Sequence, residues 1–376
     1  MDVLGHVYGD LVAVRAPVPV TVNKAGANYK SQVPHLEYSP RAAYREWLAI
    51  CDSVVEAGGD ALLYFEEDDE PFLGHQHLRV ESDGSITSKG VGLGHIDGIH
   101  TGRVFAANGP WVARQGRTLT AVMPHMLAHR QAEVGYFEML LSSVAGECGL
   151  ELDIHLNPHR WEGMADVTAV GELAILTHAV AGHYDAGVAP QVQRSTLEGA
   201  RFAADALLVP DAQRLFVELR YPHFHGDTVH FAARAEDGHR LLHYQGGLWG
   251  DGSRRISDRL KGSVVAIGER DAVDAYAANS RQIARTVLAT EGVSPQFEAQ
   301  LKTLGLDLVR LELAELFGKA GGGPGCATLY LPSNLDVPTD SPLRYSRMRE
   351  LAHQRATRIP SRVTVAADFF DLRTKA

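Results

Sequence analysis

Apolar and polar positions along this chain keep two alternating rhythms. Between residues 40 and 56, Tyr44, Trp47, Leu48, Cys51, Val54 and Val55 return at the steps that line one face of a helix. Gly58 and Gly59 then stop that helix, because glycine accepts the left-handed backbone that commonly closes one. A strand over 61–65 follows. The succession returns over 127–147, where Phe137, Leu140, Leu141, Val144 and Cys148 mark a second buried face. Gly149 ends it, and Leu150, Leu152, Ile154 and Leu156 alternate with polar residues as a strand does. Ser294 and Pro295 start a third such helix, Gly305 ends it, and an apolar run over 306–313 comes next.

Hairpins lie between these units. Apolar runs over 102–112 and 118–123 flank Arg114, Gln115 and Gly116; a second hairpin over 167–179 turns at Gly171 and Glu172. A third turns at Glu236, Asp237 and Gly238. Ser195 and Glu198 have capping-box spacing at the head of a helix over 196–207. Strands over 11–14, 215–219 and 264–267, a polar loop over 23–34 and a helix over 271–287 complete the reading. The unit of helix, glycine, strand, polar loop and hairpin recurs around Gly59, Gly149 and Gly305, with a less regular copy before His225. Repetition on this scale points to a radial or stacked architecture, and the hairpins require mixed sheets. The expected fold is a closed α/β propeller with its polar loops gathered at one mouth.

Composition narrows this picture. A chain of 376 residues, 45% hydrophobic, has an ordinary globular core and is long enough for one propeller. Residues 1–332 are expected to form one catalytic domain, with an insertion at 66–99 that is acidic, then rich in glycine and histidine. Residues 333–376 read as an extension of turns, a basic helix and a closing strand packed on the same domain. The net charge of −10 argues against nucleic acid or an anionic membrane as partner. No apolar run reaches the roughly eighteen residues that span a bilayer. The first residues lack the basic and apolar regions of a signal peptide, so the cytoplasm is the expected location. Three cysteines with no paired spacing give no disulfide framework, and Cys51 and Cys148 read as packed core thiols.

Cys326 differs. It follows Gly321, Gly322, Gly323, Pro324 and Gly325 at the mouth of an apolar run. Glycines let the backbone turn tightly and let a ligand approach, so this cysteine is expected on an open turn, not inside a helix. The plain alternative is a small core residue. A reactive thiol needs an electropositive or basic neighbour. His225 and Asp227, two apart in an extended segment, share a face; the carboxylate can hold a cation or orient the imidazole, and the imidazole can protonate a leaving amine and then activate water. In a chain with 18 histidines the alternative is a solvated loop. Glu162 and Asp166 alone would pass for surface charge. A metal site from His223, His225, Asp227 and His230 is the rival reading, but the spacing matches no zinc signature, and neither metal nor cofactor is expected.

Taken together, four segments resemble the guanidine-modifying enzymes, or penteins, over roughly residues 35–331. They are Gly102-Arg103-Val104-Phe105-Ala106-Ala107-Asn108, Glu162-Gly163-Met164-Ala165-Asp166, Phe224-His225-Gly226-Asp227-Thr228 and Gly322-Gly323-Pro324-Gly325-Cys326-Ala327-Thr328-Leu329. The resemblance implies a five-bladed α/β propeller. It also implies Cys326 as the nucleophile on a guanidinium carbon, His225 as general acid and base, and Glu162 and Asp227 as carboxylates gripping the guanidinium nitrogens. Asn108 and Asp166 join the expected substrate contacts. Asn108 stands where deiminases carry aspartate, which is closer to the arginine dihydrolases, although their Asn-Pro-His motif is here Val33-Pro34-His35. Amidinotransferases carry aspartate where Glu162 stands, which favours a hydrolase; an amidinotransferase and a non-catalytic binding protein stay as alternatives. Arg103, Arg114 and Arg220 are candidate carboxylate anchors. The expected partners are a small guanidino substrate such as arginine and, at most, a second copy in a homodimer.

Overall fold

A computed structural model describes residues 4–17, 37–64, 78–80, 85–88, 103–180, 194–359, 361 and 363–365. Val33, Pro34 and His35, the loop over 23–34 and most of 66–99 lie outside them.

Five three-stranded sheets form the blades of an α/β propeller, and each repeats one piece of chain logic. An antiparallel hairpin is followed by a helix, and the helix returns the chain to lie parallel to the hairpin's second strand. A parallel pair needs such a crossover. In the second blade, Trp111–Gln115 and Thr118–Met123 form the hairpin, and Glu151–Leu156 pairs parallel to the latter. The third uses Val167–Val170, Leu173–His178 and Arg214–Glu218. The fourth uses His230–Ala235, Gly238–His243 and Val264–Ala266, and the fifth Arg281–Ile283, Thr286–Thr290 and Asp307–Leu311. In the first blade the parallel pair Leu11–Ala13 and Asp60–Leu62 receives its antiparallel partner from Leu329–Tyr330. The ring is therefore closed by the far end of the chain.

The crossover helices are α1 (Pro40–Glu56), α2 (Val134–Glu147), α3 (Leu197–Ala206), α4 (Gly252–Leu260) and α5 (Pro295–Thr303). Ser39 caps α1 by accepting from the Ala42 N–H at 3.2 Å, and Tyr44, Trp47, Leu48, Cys51 and Val54 are buried against the first blade. Ser294 caps α5 through the Phe297 N–H. The glycines expected to end helices do so with positive φ, 61° at Gly149 and 73° at Gly305. The cap of α3 is Thr196, which accepts from the Gly199 N–H at 3.1 Å; Ser195, expected there, is drawn into the site below.

One further expectation is corrected, and one helix is added to those expected. The helix read over 271–287 is instead a short turn, Arg270–Asp274, a 3-10 turn, Ala277–Asn279, and the fifth hairpin. Its alanines suggested helix, but Ile283, Val287, Leu288 and Ala289 are fully buried in strands, so tertiary pairing overrides local propensity. The unexpected helix α4 buries only Gly252 and Ile256 and so has no apolar stripe to betray it.

Beyond the ring, α6 is the single turn Pro324–Ala327, and α7 (Tyr345–Arg358) lies on α1 with Trp47 edge-on to Tyr345. Arg344 pairs with Asp60 at 3.1 Å. Within 66–99, Leu78–Val80 and Ser85–Ser88 join a four-stranded sheet with Glu37–Tyr38 and Val363–Val365. Among the described residues no helix is long and apolar enough to cross a membrane.

Candidate active site

Each blade is entered through a short helical turn, and each turn brings one or more polar side chains. Ala106–Asn108 precedes the second blade, Gly163–Asp166 the third, Gly226–Thr228 the fourth and Ala277–Asn279 the fifth. Pro324–Ala327 precedes the strand that closes the first. Glu162, His225 and Gly323 sit just before three of these turns. The turns touch one another: Met164 N–H donates to the Gly109 carbonyl at 3.1 Å. Gly163 is required there, because its φ is +76° and a Cβ would lie 2.0 Å from that same oxygen.

Five predicted residues come together. His225 Nε2 lies 2.9 Å from Glu162 Oε2. The Asn108 amide donates to Glu162 Oε2 at 3.4 Å and keeps its oxygen on Arg130 Nη1 at 3.0 Å, so its N–H end faces the site. The Cys326 thiol donates to Asp227 Oδ2 at 3.5 Å, and Asp227 Oδ1 is buried with no partner among the described residues. The sixth, Asp166, sits behind them. Its oxygens are taken by Thr177 Oγ1 at 2.6 Å, the Gly226 N–H at 3.0 Å and the Ser195 hydroxyl. Ser195 in turn accepts from the Glu162 N–H at 2.9 Å. Asp166 thus holds the backbone of both the Glu162 and the His225 segments, and its oxygens are occupied where a substrate contact was expected.

Cys326 departs from expectation in one respect. It lies within a helical turn and is 7% exposed, because Pro324 starts a turn there and Asn279 accepts from its N–H. Burial, followed by the charge of Asp227, holds the thiol well above its ordinary range. Burial likewise raises Asp227 to about 6. Burial would raise Glu162 too, but Arg194 and His225 outweigh it and keep that carboxyl below the usual carboxylate range. The resting site is therefore a protonated thiol beside a proton-hungry carboxylate, with an ionised glutamate opposite.

Two arginines were missed by sequence reasoning. Arg194, 2% exposed, places Nη1 3.0 Å from Glu162 and its guanidinium 5.7 Å from the Phe224 ring centroid. Arg130 is bound to Glu133 at 2.6 Å. Neither stands in a motif. The anchors expected instead are engaged elsewhere: Arg103 on the Ala16 carbonyl, Arg114 on the Asn334 carbonyl, Arg220 over Trp249. Asn279 was hidden by the mistaken helix, although Ala277-Ala278-Asn279 repeats Ala106-Ala107-Asn108. His223 and His230, the other members of the rival metal reading, turn to Thr228 and His243. Among the described residues no three metal-ligating side chains are grouped to hold an ion.

No protein-family model and no curated protein matches the chain. Solved structures do. The substrate-bound N-terminal domain of ArgZ, an arginine dihydrolase from the ornithine-ammonia cycle in cyanobacteria, matches with a TM-score of 0.61 at 18% identity, over 87% of this chain and 100% of that one. AgrE in complex with L-arginine matches with 0.62 at 20% identity, over 88% of this chain but 41% of AgrE. A dimethylarginine dimethylaminohydrolase adduct matches with 0.56 at 16% identity, over 86% and 100%. The five-bladed propeller is the fold these pentein proteins share.

Proposed function

From the shared pentein fold as premise, we propose that the chain is a cysteine-dependent hydrolase of the guanidino group of arginine or a close derivative. The observation that carries this reading is the thiol of Cys326 set 3.5 Å from a carboxylate whose other oxygen is buried without a partner among the described residues. A guanidinium offers flat, forked donors that such oxygens match. In the resting site Arg194 supplies a guanidinium to Glu162, which supports the chemistry of the subsite directly. A substrate guanidinium takes that place, and Arg194 is freed to meet the carboxylate of an α-amino acid.

The cation lowers the cost of ionising both Cys326 and Asp227. The thiol proton leaves by way of Asp227, to which the thiol already donates, and reaches His225, and the thiolate attacks the guanidinium carbon. The C–N bond breaks as His225 gives its proton to the leaving ammonia, which leaves an S-linked thiouronium. Neutral His225 then takes a proton from water; the hydroxide adds to the same carbon, and the carbon–sulfur bond breaks to return the thiolate and a ureido product. Glu162 holds the imidazole ring throughout. Asn108, a neutral contact in place of a carboxylate, suits a second hydrolysis in which water cleaves the ureido product to the free amine, carbon dioxide and a second ammonia. Amidino transfer is the alternative in which an amine takes the place of water.

Incubation with arginine decides the matter. Release of ammonia with a ureido product, or of two ammonia per arginine with the free amine, supports the hydrolase; a new guanidine on an added amine supports the transferase. Cys326→Ala is expected to lower turnover by about 10⁴-fold or more, and a variant of undiminished activity would refute either reaction.

A further inference from the structure

Asn279 reaches Cys326 through the backbone, and it is the point where the fifth blade meets the Cys326 turn. Its Oδ1 accepts two backbone N–H groups, from Gly323 and from Cys326, both at 3.0 Å. Its Nδ2 donates to the Asp227 carbonyl at 3.4 Å. It is 1% exposed. One amide therefore ties the backbone of the thiol turn to the backbone of the carboxylate turn that faces it. The glycines around Cys326 answer to the same residue. A Cβ on Gly325 would meet the Asn279 backbone at 2.9 Å, and one on Gly323 would meet the Asn279 carbonyl at 3.1 Å. Glycine here permits close packing against Asn279 more than it supplies freedom to the thiol.

The orientation of the amide is fixed by these partners. An oxygen that accepts two N–H groups cannot be exchanged with the NH₂ end, so the donor end must face the Asp227 carbonyl.

We propose that Asn279 is a positioning residue of the proposed reaction, which holds the Cys326 turn in register with Asp227. The inference rests on the reading of Cys326 as nucleophile, and its test has a branch that needs no turnover. Asn279→Asp keeps an oxygen for both backbone N–H groups but replaces the donor with a second carboxylate oxygen; Asn279→Ala removes both functions.

In the full-length protein, alkylation of Cys326 by iodoacetamide is followed from about pH 6 to about pH 10, with the modified cysteine located by peptide mass spectrometry. The midpoint for Asn279→Asp is expected to rise by about one pH unit or more while its thermal midpoint stays near wild type. An unchanged alkylation midpoint would overturn the proposal. With arginine as substrate, kcat is expected to fall at least ~10-fold and KM to change less than ~3-fold. A rise in KM with kcat intact would make Asn279 a substrate contact and overturn the proposal equally. If wild type consumes no guanidino compound, the proposed reaction fails, and the alkylation profile alone still decides on Asn279.

Discussion

Glu162 shows how much a single buried charge carries. It is fully buried, faces Arg194 and His225, and has its own N–H held by Ser195. Glu162→Gln keeps the volume and removes the charge, which leaves the Arg194 guanidinium buried without its counterion. Breaking a buried pair from one side costs about 3 kcal/mol. The expected outcome is a denaturation midpoint lowered accordingly, with turnover down by ~10³-fold; a variant as stable as wild type would mean that Arg194 finds another partner. Cys326, His225, Glu162 and Asp227 were legible in the sequence because each stands beside a glycine in a polar interruption between apolar runs. Arg194 and Arg130 were not legible. Their importance comes from burial opposite a carboxylate, and nothing local in the sequence records what lies opposite.

At the scale of elements, the fourth blade carries a chain of buried histidines behind the site. His243 Nε2 bonds to Ser253 Oγ at 2.9 Å and its Nδ1 to His230 Nδ1 at 3.1 Å; His223 bonds to Thr228, whose hydroxyl donates to the His225 carbonyl at 2.7 Å. Burial lowers His223 and His243 to about 4 and holds His230 well below its ordinary range. The unfolded chain, with histidines near ~6.5, binds more protons than the folded one between these values. Their contribution to stability is therefore full above ~6.5 and is lost as pH falls toward ~4. Glu46 and Asp227, raised by burial to about 7 and about 6, act in the opposite direction, so the histidine share is read by difference. Wild type is expected to lose on the order of 2 kcal/mol more than His243→Gln between pH 7 and pH 5, measured by urea denaturation at each pH. Equal losses would show that His243 is not neutral in the fold. Three of the four hairpins and four of the crossover helices were readable from their periods, caps and glycine stops. The segment over 271–287 was not, because alanine suits a helix locally and only the pairing of Arg281–Ile283 with Thr286–Thr290 forbids it.

At the scale of the molecule, five similar blades place five similar turns around one centre, and the repeat seen in the sequence is the origin of the site's convergence. Which blades are neighbours, and that the first must borrow its third strand, no local pattern could tell. Leu329, fully buried, pairs with Ala13 in that borrowed strand. Leu329→Arg would bury a charge at the seam and is expected to lower stability by about 3 kcal/mol or more. Because Cys326 lies three residues upstream, it should also blur the pH profile of Cys326 alkylation; a variant with normal alkylation and normal stability would show that the seam tolerates opening.

The seam also sets an order of events. A ribosome delivers the turns bearing Asn108, Glu162, His225 and Asn279 before it delivers the sulfur, and the sulfur arrives joined to the strand that locks the circle. On the proposed reading of Cys326 as nucleophile, an unfinished chain holds every acid, base and amide of its centre and lacks only the attacking atom, which comes with the strand that completes its shape.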